Sequence, residues 1–135
     1  INHSIWRLNF SMTKILLVDD DEQIRFAMSE VLGGHGYHVR VAENGIQASK
    51  ILDDENVDVV LLDIFMPECD GFETIGHIRQ NHPDLKIIAM SGYGDSEFEP
   101  LRYAKTLGAD DALAKPFSAE QMVEMLVRFG CSGKP

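Results

Sequence analysis

From residue 14 onward the chain alternates between short apolar runs and longer segments whose apolar residues recur every three or four positions. The short runs, at 14–18, 37–41, 58–62, 86–90 and 111–114, read as β-strands. Four of the five are mostly apolar, the pattern of strands covered on both faces. Residues 22–33 place Ile24, Ala27, Met28, Val31 and Leu32 on one helical stripe before "GGHG" ends it. Residues 45–53 present Ile46, Ala48, Ile51 and Leu52 behind Asn44 as a cap, and 71–80 present Phe72, Ile75 and Ile78 before Pro83. A fourth helix is expected over 97–107, with Pro100 in or just before its first turn and Gly108 as its stop. The fifth starts at a capping box of Ser118 and Gln121 and buries Met122, Met125, Leu126 and Phe129.

Five strands alternating with five helices predict a parallel sheet wrapped on both faces, a doubly wound α/β domain. The 135 residues hold one such domain, expected over 12–130, with no repeat, low-complexity tract or internal linker. Residues 131–135 are expected as a C-terminal tail. Residues 1–11, "INHSIWRLNFS", have neither the apolar core nor the cleavage site of a secretory signal. They are set aside as an N-terminal extension before Met12, of cloning or upstream-translation origin or disordered. The less favoured alternative is an amphipathic segment that docks a neighbour through Ile5, Trp6, Leu8 and Phe10.

Composition narrows the partners. With 44% hydrophobic and 25% charged residues, and no apolar run approaching the roughly 18 residues of a membrane span, a soluble domain is expected. A formal net charge of -10 argues against a nucleic-acid backbone as direct partner and favours cations or a basic protein surface. Cys69 and Cys131 form no disulfide framework, and neither they nor the five histidines show metal-ligand spacing, so a reducing, cytoplasmic setting is expected.

In open parallel sheets, ligands bind beyond the carboxyl ends of the strands. The unusual polar residues of this chain all fall there: Asp19 and Asp20, Asp63 in "VVLLDIFMPECDG", Ser91 in "IIAMSGYG" and Lys115 in "DALAKPF". Singly, an Asp after a strand is more often a helix cap, the role assigned to Asp21, and a lone lysine is more often solvated. Jointly, three carboxylates, a hydroxyl and an ammonium converge on one rim. Crowded carboxylates call for a cation, and an oxygen-only set suits Mg²⁺ better than Ca²⁺ or a soft metal. A cation beside a Lys and a Ser can steady a phosphoryl group. Asp63, at the end of the central and most apolar strand, is then the candidate nucleophile, forming an acyl phosphate.

The segments "ILLVDDDE", "VVLLDIFMPECDGFE", "AMSGYG" and "LGADDALAKPF", in this order, resemble the receiver domains of bacterial two-component response regulators over essentially 13–129. The resemblance implies a flavodoxin-like (βα)5 domain with strand order 2-1-3-4-5. It implies phosphorelay signalling, in which a sensor histidine kinase or histidine phosphotransfer protein donates a phosphoryl group from its own His to Asp63. The chain would catalyse only its own phosphorylation and dephosphorylation. Asp20 is implied as a direct Mg²⁺ ligand, Asp19 as acting largely through water, and Asp63 and the Phe65 backbone carbonyl as further ligands. Ser91 corresponds to the switch hydroxyl, Lys115 to the lysine that pairs with the phosphoryl oxygens, and a cis peptide is expected before Pro116. Output is expected from the face of the fourth helix, fifth strand and fifth helix, toward a downstream protein or an effector domain outside this sequence. Homodimerisation on phosphorylation is one available form of that output; direct contact with nucleic acid or membrane is not expected.

The chain departs from the family pattern at three places. Ala112 stands where many members carry Tyr or Phe, which leaves the output to Tyr93, Tyr103 or the adjoining loop. The interval from Ser91 to Lys115 is longer than usual, predicting a longer loop through "GYGDSEFEP". Phe65 and Tyr93, two positions past Asp63 and Ser91, are bulky and are expected to screen an acyl phosphate from water and prolong its life. Two alternatives stand beside this reading. One is a haloacid-dehalogenase-like Asp-nucleophile phosphatase, against which counts Phe65 where that class places its second Asp. The other is a phosphorylation-independent flavodoxin-like binding module.

Overall fold

The computed structural model describes residues 13–64, 66, 71–92 and 98–131. Five strands, β1 (Lys14–Val18), β2 (His38–Ala42), β3 (Val59–Asp63), β4 (Lys86–Ser91) and β5 (Asp111–Ala114), alternate with five helices. These are α1 (Glu22–Gly34), α2 (Gly45–Asp54), α3 (Gly71–Asn81), α4 (Phe98–Leu107) and α5 (Ala119–Arg128). All pairings are parallel and the strand order is β2-β1-β3-β4-β5, the expected flavodoxin-like arrangement. Among the described residues no helix is long and apolar enough to cross a membrane.

Side-chain alternation along the strands divides the core into two layers. Leu16, Val18, Val60, Leu62, Ile87 and Ala89 face one side and meet Ala48, Leu52, Ile75, Ile78 and Ala104 of α2, α3 and α4. Ile15, Leu17, Val59, Leu61, Ile88 and Met90 face the other and meet Leu32 of α1 and Met122, Met125 and Leu126 of α5. The central strands β1, β3 and β4 are buried almost throughout, whereas β2 and β5 are partly exposed as sheet edges. A large apolar side chain removed from either layer leaves a cavity the sheet cannot close, at a cost of about 2–5 kcal/mol.

The caps agree with their residues. Asp21 caps α1 by accepting from the Gln23 and Ile24 N–H groups, Asn44 caps α2, and Ser118 with Gln121 closes the capping box of α5. α4 begins at Phe98, which puts Pro100 in its first turn, where its missing N–H costs nothing. Gly108 follows α4 with φ of 131°, a backbone conformation that favours glycine.

Several positions differ from expectation. β2 and β3 each start one residue later than the apolar runs suggest, because Tyr37 and Asp58 serve polar contacts at the strand starts. The Tyr37 hydroxyl donates to the Cys131 carbonyl at 2.7 Å, and Asp58 Oδ2 accepts the Lys14 N–H at 2.8 Å. Ala27 and Val31 do not reach the core; with Met28, Phe117, Ala119 and Met122 they line a shallow apolar groove between α1 and α5. Ile46 is 71% exposed at the start of α2 instead of facing the sheet. Cys131, expected to open the tail, is buried against the α1–α5 side of the core. The extension, with Ile5, Trp6, Leu8 and Phe10, lies outside the described residues, as do 132–135 and 93–97 of the "GYGDSEFEP" loop.

Candidate functional site

At the carboxyl end of β1 the chain leaves the core but Asp19 does not. Its N–H donates to the Ala42 carbonyl at 3.1 Å, its Oδ1 accepts the Asp21 N–H at 2.9 Å, and its Oδ2 accepts from Lys115 Nζ at 3.1 Å. Its carbonyl accepts from Arg25 Nη1 at 2.8 Å, so every polar group of this residue, 1% exposed, has a partner. Asp20, the next residue, is the reverse: exposed, with no hydrogen bond or ion pair for its carboxylate among the described residues.

Asp63 ends β3 and is 7% exposed. Lys115 Nζ lies 3.6 Å from its Oδ2, so one ammonium spans the Asp19 and Asp63 carboxylates. Ser91 ends β4 and is buried beside them, and its carbonyl accepts the Lys115 N–H at 2.6 Å. That bond continues the β4–β5 pairing one residue past Ala114 and delivers Lys115 to the rim. The Lys115–Pro116 peptide bond is cis, as expected.

One carboxylate oxygen from each of Asp19, Asp20 and Asp63 lies within 4.8 Å of the other two. Among the described residues these three carboxylates face the Lys115 ammonium, with the Arg25 guanidinium behind them on the Asp19 carbonyl, which leaves negative charge in excess at the rim. The donor set is oxygen-only, partly open to solvent and carries one carboxylate free of other duties, which fits a hard divalent cation such as Mg²⁺. Asp19, with both oxygens committed, is suited to hold Lys115 and the turn; Asp20 is suited to ligate.

The structure thus brings together Asp19, Asp20, Asp63, Ser91 and Lys115. Phe65 and Tyr93 lie outside the described residues. Ala112, half-buried on β5, pairs with Ala89 and packs against the α2–α4 side of the core. Tyr103 is 52% exposed on α4 and meets Phe72 of α3 edge-on, with ring centroids 5.0 Å apart.

Two contributors escaped sequence reasoning. Gly71 starts α3 directly against the Ile64 backbone, where any Cβ would overlap it, so glycine there lets the helix seat beside the residue following Asp63. The "DG" in the sequence was a signal for it. Arg25 gave none, because a surface Arg on an amphipathic helix ordinarily means solvation.

The sequence model of the response regulator receiver domain matches residues 15–127. Among curated relatives, the chain is 42% identical over 112 residues to the transcriptional regulatory protein CpxR of Klebsiella pneumoniae, covering 83% of this chain and 47% of that protein. The chain therefore spans about half the length of that regulator. It is also 35% identical to the sporulation initiation phosphotransferase F of Bacillus subtilis, covering 86% of this chain and 92% of that one. Among solved structures, the response regulator TrrA of Thermotoga maritima, in complex with Mg²⁺-BeF, superposes with a TM-score of 0.78 at 36% identity, covering 87% of this chain and 98% of that one.

Proposed function

Because this chain belongs to the response regulator receiver domain family and so to phosphorelay signalling, we propose that Asp63 is its phosphoacceptor. The observation that carries this reading is the placement of a buried carboxylate at the end of β3, 3.6 Å from Lys115 and beside the uncompensated Asp20. The donor is the phosphohistidine of a sensor histidine kinase or a histidine phosphotransfer protein. Asp63 attacks phosphorus as the P–N bond to the donor imidazole breaks, giving an acyl phosphate and a free histidine. Lys115 pairs with the phosphoryl oxygens, Ser91 turns its hydroxyl toward them, and Asp19 keeps Lys115 in place. Asp20, Asp63 and the Phe65 carbonyl would hold Mg²⁺, with Asp19 behind them, and the bound ion would supply further positive charge for those oxygens. Water later releases phosphate, and Phe65 and Tyr93 slow that step by screening the site.

The domain acts on itself and has no external substrate to turn over. Its readout is the α4–β5–α5 face, working in the cytoplasm on a downstream protein or an attached effector domain. Ala112 removes the β5 ring from that readout, and Tyr103 of α4 is turned toward Phe72 of α3.

Incubation with Mg²⁺ and acetyl phosphate, followed by intact mass, tests the reading. One added phosphoryl group is expected on the wild-type chain, and none on Asp63→Asn or without metal. An adduct that persists in Asp63→Asn, or no adduct with a donor that modifies a control receiver, overturns it.

A further inference from the structure

Asp19 and Asp20 are neighbours with opposite tasks. One is buried with every polar group engaged; the other must stand in solvent with its carboxylate open. The orientation of the peptide unit between them decides whether both can be met. Among the described residues, the one hydrogen bond to that unit is the 2.8 Å bond from Arg25 Nη1 to the Asp19 carbonyl. We propose that Arg25 is a positioning residue of the metal site: it fixes the β1–α1 turn so that the Asp20 carboxylate is held toward Asp19 and Asp63.

The proposal rests on the Mg²⁺-dependent reading above. Arg25 closes the first turn of α1, its N–H donating to the Asp21 carbonyl, and the Asp21 cap pins the start of the helix, so the helix provides a rigid base. The other anchors of the turn, the Asp19 N–H to Ala42 and Asp19 Oδ1 to the Asp21 N–H, fix its two flanks. The second holds the peptide unit that follows Asp20, and neither touches the unit between Asp19 and Asp20. A long, planar and permanently charged side chain is suited to reach across from α1 and hold one carbonyl direction.

Charge and position make opposite forecasts here. A guanidinium near a cation site repels the cation, so if Arg25 acted only through its charge its removal would tighten Mg²⁺ binding. If it acts by holding the turn, removal loosens binding.

Mg²⁺ titration by calorimetry on the full chain, with urea denaturation alongside, separates the two. In Arg25→Ala the dissociation constant for Mg²⁺ is expected to rise about 10-fold, the usual scale for a residue that orients metal ligands. Arg25→Lys, which keeps the charge without the planar fork, is expected to fall between Ala and wild type. Acetyl phosphate labelling of both variants should need more Mg²⁺ yet reach the wild-type maximum rate. A folded variant of either kind that binds Mg²⁺ as well as or better than wild type overturns the proposal, and the Lys variant decides alone if the Ala variant does not fold. A wild-type chain that binds no Mg²⁺ overturns the phosphoacceptor reading and the role of Arg25 with it.

Discussion

At the start of β4 and β5, on the amino-terminal rim of the sheet, Arg79 of α3 is surrounded by acceptors. Its Nε and Nη2 donate to the Gly108 carbonyl at 3.0 and 2.7 Å, and its Nη1 to the Pro83 and Leu85 carbonyls at 2.8 and 2.7 Å. Its Nη2 also meets Asp110 Oδ2 at 2.9 Å, an oxygen that accepts the Ile87 N–H as well. On the opposite rim Lys115 pairs with the Asp19 and Asp63 carboxylates, and the Asp20 carboxylate stands beside them with no hydrogen bond or ion pair among the described residues. Both rims combine cations with acidic side chains at strand ends. The amino-terminal cluster closes on itself and ties α3 to the α4–β5 turn; the carboxyl-terminal one is left with surplus negative charge. A polar cluster that satisfies itself holds the fold, and one that does not is where a ligand belongs.

The largest effect expected from breaking this contrast is at Asp63, whose Asn variant loses the phosphoryl adduct altogether while keeping the fold. Next comes Arg79→Ala, which takes the donor from three loop carbonyls, those of Pro83, Leu85 and Gly108, and the ion-pair partner from Asp110. With the pair partly screened by solvent, it is expected to cost about 2 kcal/mol of stability. Urea denaturation should show the loss, while acetyl phosphate labelling at low temperature stays at the wild-type level. A labelling defect in a folded Arg79→Ala chain would mean that the two rims are coupled. Smaller, and of opposite sign in stability, is Asp20→Asn. Relieving an unpaired anion from a crowded rim should raise the urea midpoint slightly in the absence of metal, while calorimetry shows Mg²⁺ affinity falling by about 10-fold or more. A lowered midpoint would show that Asp20 has a structural partner and that the charge surplus is not real.

The carboxyl-terminal rim was legible in the sequence because its chemistry concentrates unusual residues where strands end. A buried strand running into Asp or Ser is conspicuous, and three such ends together with Lys115 after β5 imply one site once the sheet is parallel. The amino-terminal rim was not legible. Arg79 serves main-chain carbonyls, and acceptors that every residue possesses leave no trace in side-chain identity. The same holds for Arg25 on Asp19 and for Tyr37 on Cys131. Helical periodicity also overreached at Ala27, Val31 and Ile46: it marks an apolar stripe, but the width of the stripe that the sheet covers depends on helix placement. Strand limits slipped by one at Tyr37 and Asp58 because a residue that hydrogen-bonds a strand start has no reason to look different from one inside it.

Cys131 gives the finest test of whether the amino-terminal rim is chemically quiet. Its thiol is buried, and burial first and the nearby Asp58 charge second push its pKa above the ordinary value of 9.0, against a smaller opposing pull from Lys86. The neutral thiol is therefore favoured in the folded chain. Below pH 9.0 both folded and unfolded chains hold this proton, and its contribution is intact. As pH rises beyond that value the unfolded chain releases the proton first, so folding stability declines until the folded thiol ionises as well. Urea denaturation of wild type and Cys131→Ala across pH 8 to 11 should show the difference between them constant at the low end and shifting against wild type above about pH 9. At neutral pH the peptide carrying Cys131 should be alkylated slowly in the folded chain and readily after unfolding, because attack requires an exposed thiolate. A flat pH dependence together with fast alkylation in the folded state would place a reactive group at the rim that now appears closed, and would end the division of labour between the two edges of the sheet.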